Sequence, residues 1–310
     1  MPGRIAHPGF ASIRPRFLPG RPAGPFALSL PHAREAGVVR VTDYGEVVRF
    51  DVARDIAGRG RYWTTCYKVG TTLIDTGCRH AGREFVRALE GQPIERVLHT
   101  HCHEDHIGGT GAVRRDRGPI EVFAHPECVE VLADPRRRQW LHPYRRVMWG
   151  WPDPVTAHPL DDGEVVEAGG YRFQALHTPG HSTDHFCFYE PDRHWLFSGD
   201  LYVGGKDRAL RTDGDAWRII ASLRRVADLP LKVLYPGAAR VPDDPHGALA
   251  SKLDYYQDMG DRILDLRRQG LSIGTVARQV CGGPMMIELV TMGHYSRRGL
   301  VRSFVEGADR

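Results

Sequence analysis

The stretch that decides the fold runs from Leu98 to Gly109 and reads Leu-His-Thr-His-Cys-His-Glu-Asp-His-Ile-Gly-Gly. Within eight positions it holds five side chains of metal-binding type: His99, His101, His103, Asp105 and His106. The apolar pair Val97-Leu98 directly before the cluster indicates a strand that ends here. We therefore predict that the cluster lies at the rim of a sheet.

The spacing within this cluster indicates two neighbouring metal positions. His101 and His103 are two residues apart, so in an extended chain their side chains point to the same side. Asp105 and His106 are adjacent and, once the chain turns towards a helix, aim at a different point. Neutral imidazole and carboxylate are groups through which proteins bind zinc, iron or manganese. The pattern favours a metal site over a polar loop that is merely rich in histidine.

Composition describes an ordinary globular chain of 310 residues, 41% hydrophobic and 26% charged. No apolar run is long enough to span a membrane, and the N-terminus lacks the apolar core of a signal peptide. The net charge of +4 is mild and the basic residues are nearly all arginine, which favours a bias of genome composition over nucleic-acid binding. Six cysteines form no CxxC pair, so we predict reduced thiols and a cytoplasmic location.

Three regions are predicted along the chain. Residues 1–36 are rich in proline and arginine and show no periodicity, so we predict an extension without regular structure. Residues 37–245 contain segments rich in β-branched and aromatic residues, typical of strands, and residues 246–310 are mostly helical in pattern. Strands followed by a helix, twice over, predict an α+β fold, a four-layer αββα sandwich with a small helical C-terminal module.

Three further motifs lie where predicted strands end. Leu-Ile-Asp-Thr-Gly carries Asp75, His-Thr-Pro-Gly-His-Ser carries His181, and Phe-Ser-Gly-Asp carries Asp200. Each motif alone is a common turn. In this order, with Thr-His-Cys-His-Glu-Asp-His, they resemble the metallo-β-lactamase fold superfamily over roughly residues 37–244. Within it the chain is most similar to the glyoxalase II and lactamase-like-protein-2 branch.

The resemblance implies a ligand set. A first metal would be held by His101, His103 and His181, and Asp105 and His106 would serve a second metal. Asp200 would bridge the two. Asp75 would lie beneath the site and orient a ligand through a hydrogen bond, and His185 would line the pocket.

The implied chemistry is hydrolytic. A metal-bound hydroxide would attack an ester, thioester or lactone, and Asp105 would hold the hydroxide and pass its proton to the leaving group. Zinc is the expected metal, with iron or manganese as alternatives. The partner would be a small-molecule substrate, which the sequence does not identify, and the oligomeric state does not follow from the sequence either.

One motif departs from the family. Its last motif usually places a histidine after Pro-Gly at a strand end, and here the chain reads Pro236-Gly237-Ala238. Because alanine has no ligand atom, we expect one tight metal and a second, weak one. Two alternatives stay open: another residue such as His246 or His294 fills the gap, or only one metal binds.

Three other functions were weighed against hydrolysis. The first is a mononuclear iron oxygenase similar to the persulfide dioxygenases, which would use His101, His181 and Asp200. The second is a metal-dependent ribonuclease, favoured by the similarity to the lactamase-like-protein-2 branch and by the arginines at 136–138, 267–268 and 297–298. Residues 135–154, where arginines are interleaved with aromatics, could form a nucleic-acid surface. We interpret them instead as a loop folded over the site, with its aromatics packed against the body, that shapes a substrate pocket. The third, a non-catalytic member of the family, is disfavoured because the other motifs are intact.

Overall fold

The computed structural model describes residues 34–36 and 38–308, which belong to one compact unit. The first sheet has eight strands. They are β1 (Arg34–Ala36), β2 (Val39–Asp43), β3 (Val47–Ile56), β4 (Arg59–Val69), β5 (Thr72–Ile74), β6 (Arg96–Leu98), β7 (Glu121–Ala124) and β8 (His158–Pro159). They are paired in chain order, antiparallel from β1 to β5 and parallel from β5 to β8.

The second sheet has five strands, and a separate ribbon has two. The strands of the second sheet are β9 (Val165–Ala168), β10 (Tyr171–His177), β11 (Phe186–Glu190), β12 (Trp195–Phe197) and β14 (Val233–Tyr235). Their spatial order is β14-β12-β11-β10-β9. The ribbon pairs β13 (Leu210–Arg211) with β15 (Tyr295–Ser296) in antiparallel orientation.

Eleven helices complete the described part of the chain. They are α1 (Gly82–Ala88), α2 (Glu104–Ile107), α3 (Thr110–Arg117), α4 (Pro126–Ala133), α5 (Pro135–Arg138), α6 (Pro143–Met148), α7 (Ala216–Ala227), α8 (Pro245–Arg268), α9 (Ile273–Cys281), α10 (Met286–Val290) and α11 (Arg297–Gly307). Short 3-10 turns span Arg79–Ala81 and Gly199–Leu201. None of the described helices is both long and apolar enough to cross a membrane.

Hydrophobic packing explains the layers. Between the sheets lies a cluster of buried aromatic side chains that includes Phe173, Phe188, Phe197 and Tyr235. Strand β11 is buried along its whole length because both of its faces are covered. A second cluster packs α1, α3 and α4 on the first sheet, and a third packs α7, α8, α9 and α11 on the second. The predicted α+β four-layer sandwich is therefore confirmed.

Helix α7 shows how local sequence sets an element. Asp215 caps its first turn, since the carboxylate accepts hydrogen bonds from the backbone N–H groups of Trp217 and Arg218. Its buried side chains, among them Ile220 and Leu223, recur at helical spacing and face the second sheet.

One strand differs from the sequence-based expectation, and the predicted domain bounds stay predictions. Strand β1 lies inside the predicted N-terminal extension, where no strand was expected, because its backbone pairs with β2; residues 1–33 lie outside the described residues. The helices after residue 245 share one hydrophobic cluster with α7 and the second sheet. The division between residues 245 and 246 therefore stays a prediction.

Candidate metal centre and its pocket

The ligand-type side chains meet at one edge of the sandwich because of strand direction. Asp75 follows β5 and the histidine cluster follows β6, and these two strands are parallel neighbours. His181 and Asp200 follow β10 and β12, which run in the same direction because both are antiparallel to β11. A backbone hydrogen bond of 2.7 Å from the N–H of Phe186 to the carbonyl of Thr100 ties the two edges together.

Three imidazoles form the first candidate metal group. His101, His103 and His181 each offer a ring nitrogen, and these atoms lie within 4.8 Å of one another. Nδ1 of His103 is 2.8 Å from Nε2 of His101 and 3.0 Å from Nε2 of His181. Nδ1 of His103 carries at most one proton and cannot donate to both of the other rings. Three converging ring nitrogens therefore fit the coordination of a cation better than a hydrogen-bond network.

A second candidate group contains His101, His106 and Asp200. Nε2 of His106 is buried and makes no hydrogen bond within the described chain, although Oδ1 of Asp200 lies 3.4 Å away. The other oxygen of Asp200 is 3.3 Å from Nε2 of His181. Asp200 thus offers one oxygen to each group, and an orphaned buried nitrogen beside it fits a cation.

Asp105 lies close to the second group but is not part of it among the described residues. Its Oδ2 is 4.0 Å from Nε2 of His106 and accepts a 3.0 Å hydrogen bond from the hydroxyl of Thr64. The sequence expected Asp105 in this group and did not expect His101 there. The role of Asp105 as a ligand stays a prediction, whereas His101 belongs to both groups.

Asp75 is fully buried and sets the tautomers of two ligand-type histidines. Nδ1 of His106 donates to its Oδ2 at 2.7 Å, which turns Nε2 of His106 towards Asp200. Burial opposes a charge on His106, yet Asp200 and Asp75 raise its pKa, so a cation bound at Nε2 would displace a proton. The hydroxyl of Thr100 also donates to Oδ2, at 2.7 Å, and is itself 2.9 Å from Nδ1 of His101. Since that hydroxyl has one proton to give, His101 donates to it and its Nε2 is unprotonated.

Charge in the centre follows from burial and from these contacts. Burial lowers the pKa values of His101 and His103 well below the ordinary value, so both are neutral at pH 7. Burial opposes ionisation of Asp75, yet His106 and His99 lower its pKa to about 2. The pKa of Asp200 is likewise held below its usual range despite burial, chiefly by His106 and His181. Two buried carboxylates are therefore ionised, which suits a bound cation.

His185 supports the centre from behind. Its Nε2 accepts a 3.0 Å hydrogen bond from the backbone N–H of Asp200, and its Nδ1 is 2.9 Å from the hydroxyl of Thr178. Burial is the main reason that its pKa falls to about 3. The sequence expected His185 to line the pocket, but it is fully buried and holds the turn that carries Asp200.

A cavity of about 210 Å³ opens onto the candidate centre at His103, Asp105, His181 and Asp200. The rest of its wall is Tyr62, Tyr144, Met148, Trp149, Arg211, Ile287, Val290, Thr291 and Tyr295. Residues 135–154 do lie over the site, as predicted, although Trp140 is 66% exposed rather than packed. Sequence reasoning missed Arg211, Tyr295 and the contribution of α10, because no motif or periodicity marks them.

The chain at Gly237 passes directly beside Asp200. A Cβ atom at Gly237 would lie 2.6 Å from Oδ1 of Asp200, so only glycine fits there. The next residue is Ala238. Neither histidine considered for the gap belongs to a candidate group in the described chain: His246 is exposed on α8. His294 is buried, and its ring stacks on that of His142 at 3.9 Å.

Comparison with known proteins agrees with this architecture. A family model described as "Metallo-beta-lactamase superfamily" matches residues 65–238, more than half of the chain. A relative from Aspergillus niger, named lactamase-like protein adaB, is 30% identical over 243 residues, covering 74% of this chain and 67% of the relative. The chain therefore belongs to the metallo-β-lactamase superfamily.

Two further likenesses bear on chemistry. A protein from Aspergillus fumigatus named atrochrysone carboxyl ACP thioesterase is 27% identical over 223 residues, covering 68% of this chain. The chain spans 63% of that relative, less than two thirds of its length. A solved structure of TTHA1623 in a di-iron-bound form is 28% identical, with a TM-score of 0.50, and covers 62% of this chain and 95% of that one.

Proposed function

We propose that the protein is a metal-dependent hydrolase that cleaves an ester, thioester or lactone, with a thioester as the first candidate. The observation that carries the proposal is the convergence of unprotonated imidazole nitrogens and ionised carboxylates at the floor of an apolar cavity. Membership of the superfamily and the likeness to a thioesterase support it. The finer assignment to the glyoxalase II and lactamase-like-protein-2 branch stays a prediction, as does the cytoplasmic location.

The residues would divide the work as follows. His101, His103 and His181 would hold the first metal, and Asp200 would stand between it and a second, weaker site at His106. A bound divalent metal supplies hydroxide near neutral pH and polarises the carbonyl under attack. Asp105, fixed by the Thr64 hydroxyl, would take the proton of the attacking water and give it to the departing thiolate or alkoxide.

Metal identity and substrate are tested together. Purified protein is analysed for metal by mass spectrometry and assayed with matched N-acetylcysteamine thioesters, esters and lactones after loading with zinc, manganese or iron. We expect about one tightly held metal per chain and hydrolysis of at least one class. Full metal occupancy without hydrolysis in any class would contradict the proposal.

The iron oxygenase alternative draws on His101, His181 and Asp200, which also lie together in the structure. It requires iron and oxygen consumption with a persulfide substrate, so an oxygen electrode separates it from hydrolysis. A ribonuclease would instead cleave RNA in a salt-dependent manner.

A further inference from the structure

An arginine lies beside the candidate cation site, where a positive charge is unfavourable. Arg211 lines the same cavity as His103 and His181, and only 12% of its side chain is exposed. The positive charge of Arg211 repels a metal cation and so weakens its binding. An anionic group bound between Arg211 and the metal would offset that repulsion.

The guanidinium is held in a fixed orientation. Nε and Nη2 of Arg211 contact the two oxygens of Asp213 at 2.9 Å and 2.6 Å, a two-pronged pair that uses one edge of the group. Nη1 makes no hydrogen bond to any other residue that the structure describes. Because Asp213 holds the edge formed by Nε and Nη2, the Nη1 group of Arg211 stays available to a ligand.

Tyr295 lies next to Arg211 because the register of the two-stranded ribbon pairs these residues. The two residues are direct partners across the β13–β15 ribbon, so their side chains lie side by side on one face. Both line the cavity. Burial above all raises the pKa of Tyr295 to about 12, so its hydroxyl keeps its proton at neutral pH. That hydroxyl has no hydrogen-bond partner within residues 38–308.

The remaining wall is apolar and partly aromatic, with Tyr62, Met148, Trp149, Ile287 and Val290. The guanidinium of Arg211 and the phenol hydroxyl of Tyr295 therefore lie together in an otherwise hydrophobic wall, beside the floor that carries the candidate metal ligands. Such a pair matches the two oxygens of a carboxylate, while the apolar wall matches the carbon skeleton that bears it.

We propose that Arg211 and Tyr295 bind a carboxylate on the acyl part of the substrate, so that the preferred substrates are acidic acyl esters or thioesters with an apolar or aromatic body. The substrate chemistry rests on the proposed hydrolase function, but binding of the carboxylate does not depend on turnover. The two residues determine specificity; they are not assigned a part in breaking the bond.

The test separates binding from hydrolysis. Binding is measured by calorimetry on metal-loaded protein with two probes that contain no ester, 4-carboxybenzamide and the neutral 4-acetylbenzamide. We expect the carboxylate probe to bind about 10- to 100-fold tighter than the neutral probe, the range of a charged hydrogen-bonded contact. Arg211→Gln brings this ratio close to one, and Tyr295→Phe lowers it about 3- to 10-fold.

Arg268→Gln is the matched control. Arg268 is 75% exposed on α8 and pairs with Asp265, so its loss leaves the ratio unchanged. Circular dichroism and the thermal midpoint verify that each variant is folded. If Arg211→Gln does not fold, the binding ratio of Tyr295→Phe decides the test. Equal binding of both probes to the natural protein overturns the proposal. A ratio that survives Arg211→Gln also overturns it, because the carboxylate would then be bound by the metal.

A separate arm addresses turnover. The N-acetylcysteamine monothioester of terephthalic acid and the corresponding thioester of 4-acetylbenzoic acid are assayed, and we expect kcat/KM to favour the acidic one by a similar factor. If neither thioester is hydrolysed while the binding ratio stands, the hydrolase proposal fails and the carboxylate site remains. If Arg211→Gln reduces hydrolysis of both thioesters equally, Arg211 acts on the transition state and the specificity proposal fails.

Discussion

Arg145 and Glu104 form an ion pair in which Nη2 lies 2.7 Å from Oε2, and both side chains are buried. Glu104 opens α2 inside the histidine cluster, while Arg145 belongs to α6 in the segment that covers the cavity. The second oxygen of Glu104 makes no hydrogen bond to any described residue. The covering segment is thus fastened to the metal-binding stretch by a buried ion pair, beside a hydrogen bond from the side chain of Gln139 to the carbonyl of Cys102.

Removing one partner of this pair should be costly. Arg145→Ala leaves a buried carboxylate without its counter-charge, and we expect a loss of about 3–5 kcal/mol in the free energy of unfolding. The double variant Glu104→Leu/Arg145→Met removes both charges and should lose much less. Urea denaturation measures both. A single variant within about 0.5 kcal/mol of the natural protein would show that the pair is not needed for the fold.

Replacing His101 or His181 with alanine should remove bound metal while the protein stays folded, because each loses an imidazole that converges on His103. Metal is counted by mass spectrometry after dialysis against a mild chelator. His246→Ala, at an exposed position on α8, is the control and should keep its metal. Full occupancy in the His101 variant would refute the assignment of the first group.

Asp105→Asn should lower kcat by about 10²- to 10⁴-fold with little change in KM, since the amide keeps the shape but cannot take a proton. Thr64→Val, which removes only the hydrogen bond that fixes Asp105, should have a smaller effect in the same direction. Steady-state kinetics on any substrate found by the panel decide the matter. Unchanged kcat in Asp105→Asn would exclude a role in proton transfer.

Ala238→His should tighten the second metal site, because the chain at Gly237 lies against Asp200 and the new ring follows it directly. A residue that binds the metal directly should change its affinity by more than the roughly 10–100-fold typical of a residue that only hydrogen-bonds to a ligand. The readout is metal stoichiometry for the natural protein, for Ala238→His and for Ala250→His, an exposed control on α8. Two tightly held metals in the natural protein would mean that the gap is already filled.

The wall helix α10 is tied down by a carboxylate whose pKa is shifted. Hydrogen bonds from Arg297 lower the pKa of Glu288 to about 2, from an ordinary value of 4.5. A carboxylate whose pKa is lower in the folded protein stabilises the fold at pH values above its ordinary pKa. This contribution to the free energy of unfolding is lost as the pH falls towards 2. We expect Glu288→Gln to be less stable than the natural protein at pH 6, with the gap narrowing between pH 4.5 and pH 3. A gap independent of pH would rule out an ionic contribution.

The sequence predicted the candidate centre well where the signal is local. His101, His103 and His106 stand in one short stretch, and their spacing carries the geometry. Sequence reasoning failed where residues of the site lie far apart in the chain. Arg211 and Tyr295 face each other across two-residue strands, which are too short to show a period, and nothing in either neighbourhood indicates the other. The position of Asp105 relative to Asp200 depends on how α2 turns, which spacing alone does not settle.

Part of the wall of the cavity comes from a stretch of the chain that lies after all of the floor residues. The floor comes from residues up to Asp200, whereas Arg211, Ile287, Val290, Thr291 and Tyr295 follow it in the chain. A crossover between two related genes near residue 205 would therefore give the offspring one parent's reactive floor and both of the other parent's carboxylate-binding residues. Preference for a substrate could then be inherited, and could diverge, separately from the capacity to react.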